Sequence, residues 1–156
     1  MSYKQPDEFE LAKKNNTDEF VTELKMSIEK IPDFKAGNKL FLSPRIYKIW
    51  ARKLPKSEDR KLDYYFPFPF VQSDTTMYKL PAGYKPDVLP PAKELNSDYA
   101  GYTTQYWYDE KLTAIYSTIT ISLKKHIIPA AKYAEVKKIF DDIMLMDGQK
   151  IVIKKE

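Results

Sequence analysis

Residues 112 to 123 constrain this chain more than any other stretch, because from Ile115 onward apolar residues recur there at every second position with Ser117 as the one hydroxyl among them. Ile115, Ser117, Ile119, Ile121 and Leu123 fall on one side, and Tyr116, Thr118, Thr120 and Ser122 on the other. A period of two places successive side chains on opposite faces of a strand, so the first set is expected to point into a core. The preceding run, Tyr99 to Tyr108, is aromatic and threonine-rich and is joined to it by Asp109-Glu110-Lys111, which predicts an antiparallel hairpin.

The period changes after Pro129. Tyr133, Val136, Phe140, Ile143 and Met144 recur at steps of three and four, opposite Lys132, Glu135, Lys138 and Asp142. That stripe predicts one amphipathic helix over about 130–146, with Pro129 in its first turn and Gly148 as a stop. Ile151, Val152 and Ile153 then read as a last strand returning to a sheet.

The first half carries shorter signals. Leu24, Met26 and Ile28 alternate with polar neighbours, Gly37-Asn38 is a turn into Leu40-Phe41-Leu42, and Thr75 to Leu80 reads as a strand ending at Pro81-Ala82-Gly83. Pro67 and Pro69 lack amide donors, so Leu62 to Phe70 is expected as an edge strand or an extended crossing segment. Residues 43–60 read as a long connection in which Arg45 to Trp50 could make one helical turn.

The expected fold is therefore mainly β: an antiparallel β-sandwich, immunoglobulin- or fibronectin-like in general architecture, with one helix near the C-terminus. A length of 156 residues fits one such domain over 8–156 behind a tail at 1–7. Lys and Arg are dispersed among Asp and Glu with a net charge of +4, which describes a solvated surface and does not demand nucleic acid. The absence of Cys excludes disulfides, thiolate metal sites and a cysteine nucleophile. No apolar run reaches the ~18 to 20 residues of a membrane span, and the first residues lack a signal-peptide core.

Several segments together resemble the C-terminal domain of bacterial transglutaminase-like proteins. They are GNKLFLSP at 37–44, Arg60 before DYYFPFPF at 63–70, LPAGYKP at 80–86 with LP at 89–90, the hairpin, KYAEVKKIFDDIM at 132–144 and KIVIKK at 150–155. The resemblance spans roughly residues 8 to 156. It implies an accessory sandwich of unknown function beside a papain-like catalytic core, in a parent exported to the periplasm or cell surface of Bacteroidetes-like bacteria. The family's catalytic Cys, His and Asp lie in that core and match no position of this sequence. No catalytic residue is carried over, and the chain is read as a non-catalytic partner of a neighbouring transglutaminase-like domain.

Site chemistry is sparse. His126 is the single histidine, so an independent hydrolase would need it with a hydroxyl, and a linker residue is the plainer reading. Asp141 and Asp142 diverge on a helix, and no cofactor or metal set is expected. The segment holding Arg45, Lys48, Arg52, Lys53, Lys56, Arg60 and Lys61 interleaves cations with Tyr47 and Trp50, which suits a docking surface or a loop packed over the sandwich. Aromatics of the hairpin could stack on a sugar, making a carbohydrate-binding module the alternative function. The candidate surface for a glycan or peptide is Tyr47, Trp50, Arg52, Tyr106, Trp107 and Tyr108.

Overall fold

The computed structural model describes residues 8–16, 19–27, 32–58 and 60–156. The chain divides into two compact units, Met1–Asp33 and Phe34–Glu156. In the first, β1 (Glu8–Asn16) pairs with β2 (Glu19–Ser27) antiparallel, with Leu11 opposite Leu24. Both leucines are more than half exposed, at 56% and 53%. The expected tail at 1–7 and Ile28 of the alternating stretch lie outside the described residues.

The second unit holds two four-stranded antiparallel sheets. One runs in the order β6 (Phe70–Lys79), β10 (Ala114–Leu123), β9 (Ala100–Asp109), β8 (Lys93–Asn96). The other runs β3 (Phe34–Ala36), β4 (Lys39–Leu42), β12 (Ile151–Lys155), β7 (Tyr84–Val88). A short ribbon of β5 (Tyr64–Tyr65) and β11 (Ile127–Ile128) precedes the single helix, α1 (Ala130–Met146).

The predicted hairpin is the frame. β9 and β10 pair without slippage from Ala114 opposite Asp109 to Leu123 opposite Ala100. Ile115, Ser117, Ile119, Ile121 and Leu123 are all buried, on the face that the alternation assigned to the core. Thr113 takes a positive φ of 49°, and the Asp109 carboxylate accepts the Leu112 amide at 3.1 Å, which closes the link between the strands.

That inward face serves two apolar clusters. At one end Ala100, Tyr102, Ile119, Ile121 and Leu123 pack with Tyr133, Val136, Phe140 and Ile143 of α1. At the other end Ile115 and Tyr78 pack with Leu42, Ile151 and Ile153 of the opposing sheet. The sandwich is thus half sheet on sheet and half helix on sheet, and α1 fills the space the short second sheet leaves open. Of the expected stripe, Tyr133, Val136, Phe140 and Ile143 are buried; Met144 is only half-buried, and Ile139 and Met146 are buried in addition.

Local details differ from the sequence reading in instructive ways. Pro129 stands at the N-cap of α1, and the Asp63 carboxylate accepts the first free amide, Ala130 N, at 3.0 Å. The helix ends on Asp147 in a right-handed conformation, so Gly148 is not a left-handed cap. The proline-rich passage at 85–91 contains β7, which is an edge strand, and Pro86 is accommodated beside a register shift at Val152/Ile153. Residues 43–58 form no helical turn, and the crossing segment at 62–70 contributes only the two-residue β5 before the long β6 begins.

Phe140 is 1% exposed and touches rings on either side, Trp50 at 4.5 Å and Phe66 at 5.6 Å between centroids. Phe140→Ala is expected to lower unfolding stability by ~3–5 kcal/mol in a urea titration, through lost burial and a cavity that the surrounding rings cannot close. The outward Val71→Ala, at a site 71% exposed, is expected to stay within ~0.5 kcal/mol.

Candidate functional site

The six residues proposed as an interaction surface do not gather. Tyr47 and Arg52 are exposed on the connection after β4, with Tyr47 at 77%. Trp50 is turned inward instead: it is half-buried, stacks on Phe70 at 6.2 Å and meets the Phe140 ring at a tilt. Tyr106 and Tyr108 lie on the inward face of β9 and pack against the cluster of Ile115 and Ile151. Their alternation partner Trp107 faces outward, 42% exposed, and its ring stacks on Tyr116 across the strands at 5.0 Å and 4°. Strand parity is the reason, since three successive residues of a strand cannot share one face.

The basic connection separates in the same way. Lys48, Arg52, Lys53, Lys56 and Lys61 are exposed. Arg60 lies over the Tyr133 ring at 4.1 Å and the Tyr64 ring at 5.3 Å, and the Tyr133 hydroxyl donates to the Pro55 carbonyl at 2.8 Å. These contacts fasten the connection to α1. Burial raises the Tyr133 hydroxyl above its ordinary range, and the facing Arg60 partly opposes that.

Arg45 follows the packed-loop reading of its segment: it is only 3% exposed and ion-pairs through Nη1 with Asp147, itself 7% exposed. Its Nε lies 4.0 Å from an Asp74 carboxylate oxygen, which accepts a hydrogen bond from Thr76 Oγ1 at 2.8 Å. Nearby, the Tyr78 hydroxyl donates to the Ser43 carbonyl at 2.8 Å, and Lys150 Nζ reaches Ser43 Oγ at 3.1 Å. The strands β6, β9 and β10, the end of α1 and the start of the 43–58 connection therefore converge on one buried polar centre. Its place is the boundary between the two apolar clusters. Tyr102, on β9, has its hydroxyl pushed up to about 12, first by burial and next by Tyr106, with Arg45 acting in the opposite sense.

The outward face of the first sheet is polar apart from Val71 and one row. Met77, Tyr116 and Trp107 lie side by side there, while Ser73 and Thr120 are hydrogen-bonded at 2.9 Å further along. A shallow hollow over Gly101 is lined by Glu94, Asn96, Thr103, Thr120 and Ser122. At the far end of the sandwich Lys85 and Glu156 pair at 2.8 Å, which raises the Lys85 ammonium above its ordinary value. His126 is exposed, and its carbonyl accepts the Phe66 amide at 2.8 Å. Among the described residues no three His, Asp or Glu side chains gather as a metal site, and no helix is long and apolar enough to cross a membrane.

Two antiparallel sheets completed by one helix, with a buried ion pair between them, define a mainly β domain with one C-terminal helix. The chain belongs to a domain family of unknown function with a solved structure, DUF3858, which residues 38–153 match. It is also similar in fold to a solved crystal structure from Parabacteroides distasonis described as a "putative protease", with a TM-score of 0.62 and 14% identity. That match covers 74% of this chain but only 23% of the other. A search of curated proteins finds no match.

The buried pair has a measurable signature. Arg45→Met strands the Asp147 carboxylate away from water and is expected to cost ~3–5 kcal/mol in chemical denaturation, whereas Arg45→Met with Asp147→Leu is expected to recover most of that loss. Equal losses in the single and double variants would show that the charge pairing contributes nothing beyond packing.

Proposed function

We propose that this domain is a non-catalytic module of a longer exported protein, packing beside or positioning substrate for a transglutaminase-like, papain-like core in the same polypeptide. The observation that carries this reading is the match to less than a quarter of a much longer chain described as a "putative protease". A fold that recurs as a fraction of a larger protein is a module, and chemistry and scaffold are separable in such proteins. The order of sequence segments shared with the transglutaminase-associated domain supports the identity of the neighbour. Periplasmic or cell-surface placement belongs to the same reading.

The surface offers a place for such a neighbour. Tyr65 and Ile127 are opposed on the outward side of the β5–β11 ribbon and are 64% and 42% exposed. Phe68 and Val71, which follow in the chain, are 64% and 71% exposed. Exposed apolar residues this near one another in the chain suit an interdomain contact.

In the full-length polypeptide, Tyr65→Ser with Phe68→Ser is expected to lower the melting temperature of the neighbouring core by several degrees. The same pair in the isolated chain is expected to change its own stability by no more than ~0.5 kcal/mol each. An unchanged full-length protein, or a reading frame that encodes no cysteine-bearing core, contradicts the proposal.

A further inference from the structure

The polar centre around Arg45 contains more donors and acceptors than its protein partners satisfy. Arg45 Nε and Nη2, Asp147 Oδ2, Ser117 Oγ and the Tyr106 hydroxyl are all buried without a hydrogen-bond partner among the described residues. Strand register and polar contacts link them, and both Arg45 and Tyr106 act on the Tyr102 hydroxyl. Ser117 sits opposite Thr76 on one side and Tyr106 on the other, all three on the inward face. Thr76 bonds the Asp74 carboxylate that lies 4.0 Å from Arg45 Nε, and Arg45 in turn holds Asp147. Native interiors leave very few such groups unsatisfied, and a cluster of them in one place points to a bound polar species.

We infer that this centre is a binding site for at least one ordered water molecule, held between the two apolar clusters and bridging Arg45 to Ser117 and Tyr106. The charges select water over an ion. Arg45 would repel a metal cation, and Asp147 and Asp74 would repel an anion, whereas the ion pair itself leaves the fully buried part of the centre neutral. The orphaned set mixes obligate donors (Arg45 Nε and Nη2) with an obligate acceptor (Asp147 Oδ2) and two hydroxyls that do both. A water molecule, with two protons and two lone pairs, satisfies such a mixture and a simple ion does not. The site makes no appeal to the proposed function and stands or falls separately from it.

The test is a crystal structure of the chain at a resolution that shows ordered solvent, together with water oxygen-17 relaxation dispersion in solution. The expected result is an oxygen within ~3.2 Å of Ser117 Oγ or the Tyr106 hydroxyl and of an Arg45 nitrogen. The dispersion should register long-lived internal water that diminishes in Ser117→Ala with Tyr106→Phe, while circular dichroism stays native. A dry centre in which Arg45, Ser117 and Tyr106 bond one another directly overturns the inference, as does an ion in that place. Wild-type protein alone decides the point if the double variant fails to fold.

Discussion

One strand face holds this domain together. The inward side of β10 contributes Ile115 to the cluster shared with the opposing sheet, and Ile119, Ile121 and Leu123 to the cluster shared with α1. Neither the helix nor the second sheet touches enough of the other to bury its own apolar surface, so each depends on the same ribbon as its wall. The two clusters are coupled through a common strand, whose hydrogen bonds to β6 and β9 keep it flat against both. Apolar burial supplies the driving force, at roughly 25 cal/mol per Å² removed from water, and the ladder fixes which residues receive it.

Between the clusters, the apolar run on β10 is interrupted by Ser117, and the polar centre of Arg45 and Asp147 lies against that interruption. A buried ion pair rarely adds net stability over apolar packing of the same shape. Its consequence here is positional. Arg45 lies three residues past the end of β4 and Asp147 caps α1, so the pair ties the start of the long connection to the end of the helix across 102 residues of sequence. That tie fixes where the chain must turn from α1 into β12.

Periodic signals were legible in the sequence, and pairwise ones were not. The β9–β10 alternation and the α1 stripe could be read because each repeats over ten or more residues that share one environment. β3, β7 and β8 escaped because short edge strands are held mainly by backbone hydrogen bonds, which leave little side-chain pattern; in β7 a proline further disguised the strand. The burial of Arg45 could not be read from the basic segment, since its partner Asp147 is remote and a spacing rule has no reach over such a distance. Trp50 looked exposed because nothing nearby announced the rings of Phe70 and Phe140 that it meets. Trp107 alone among the hairpin aromatics singled out for the surface faces outward, and parity along β9 would have distinguished it from Tyr106 and Tyr108.

The account depends on both clusters forming a single cooperative unit through β10. Native-state hydrogen exchange across a range of low denaturant concentrations tests this most directly, by comparing amides of α1 at Phe140 and Ile143 with amides of β12 at Val152 and Ile153. A shared wall predicts that both sets open with the same free energy and the same denaturant dependence as the amides of β10. Exchange from α1 at markedly lower free energy, with β10 and β12 still protected, would contradict it.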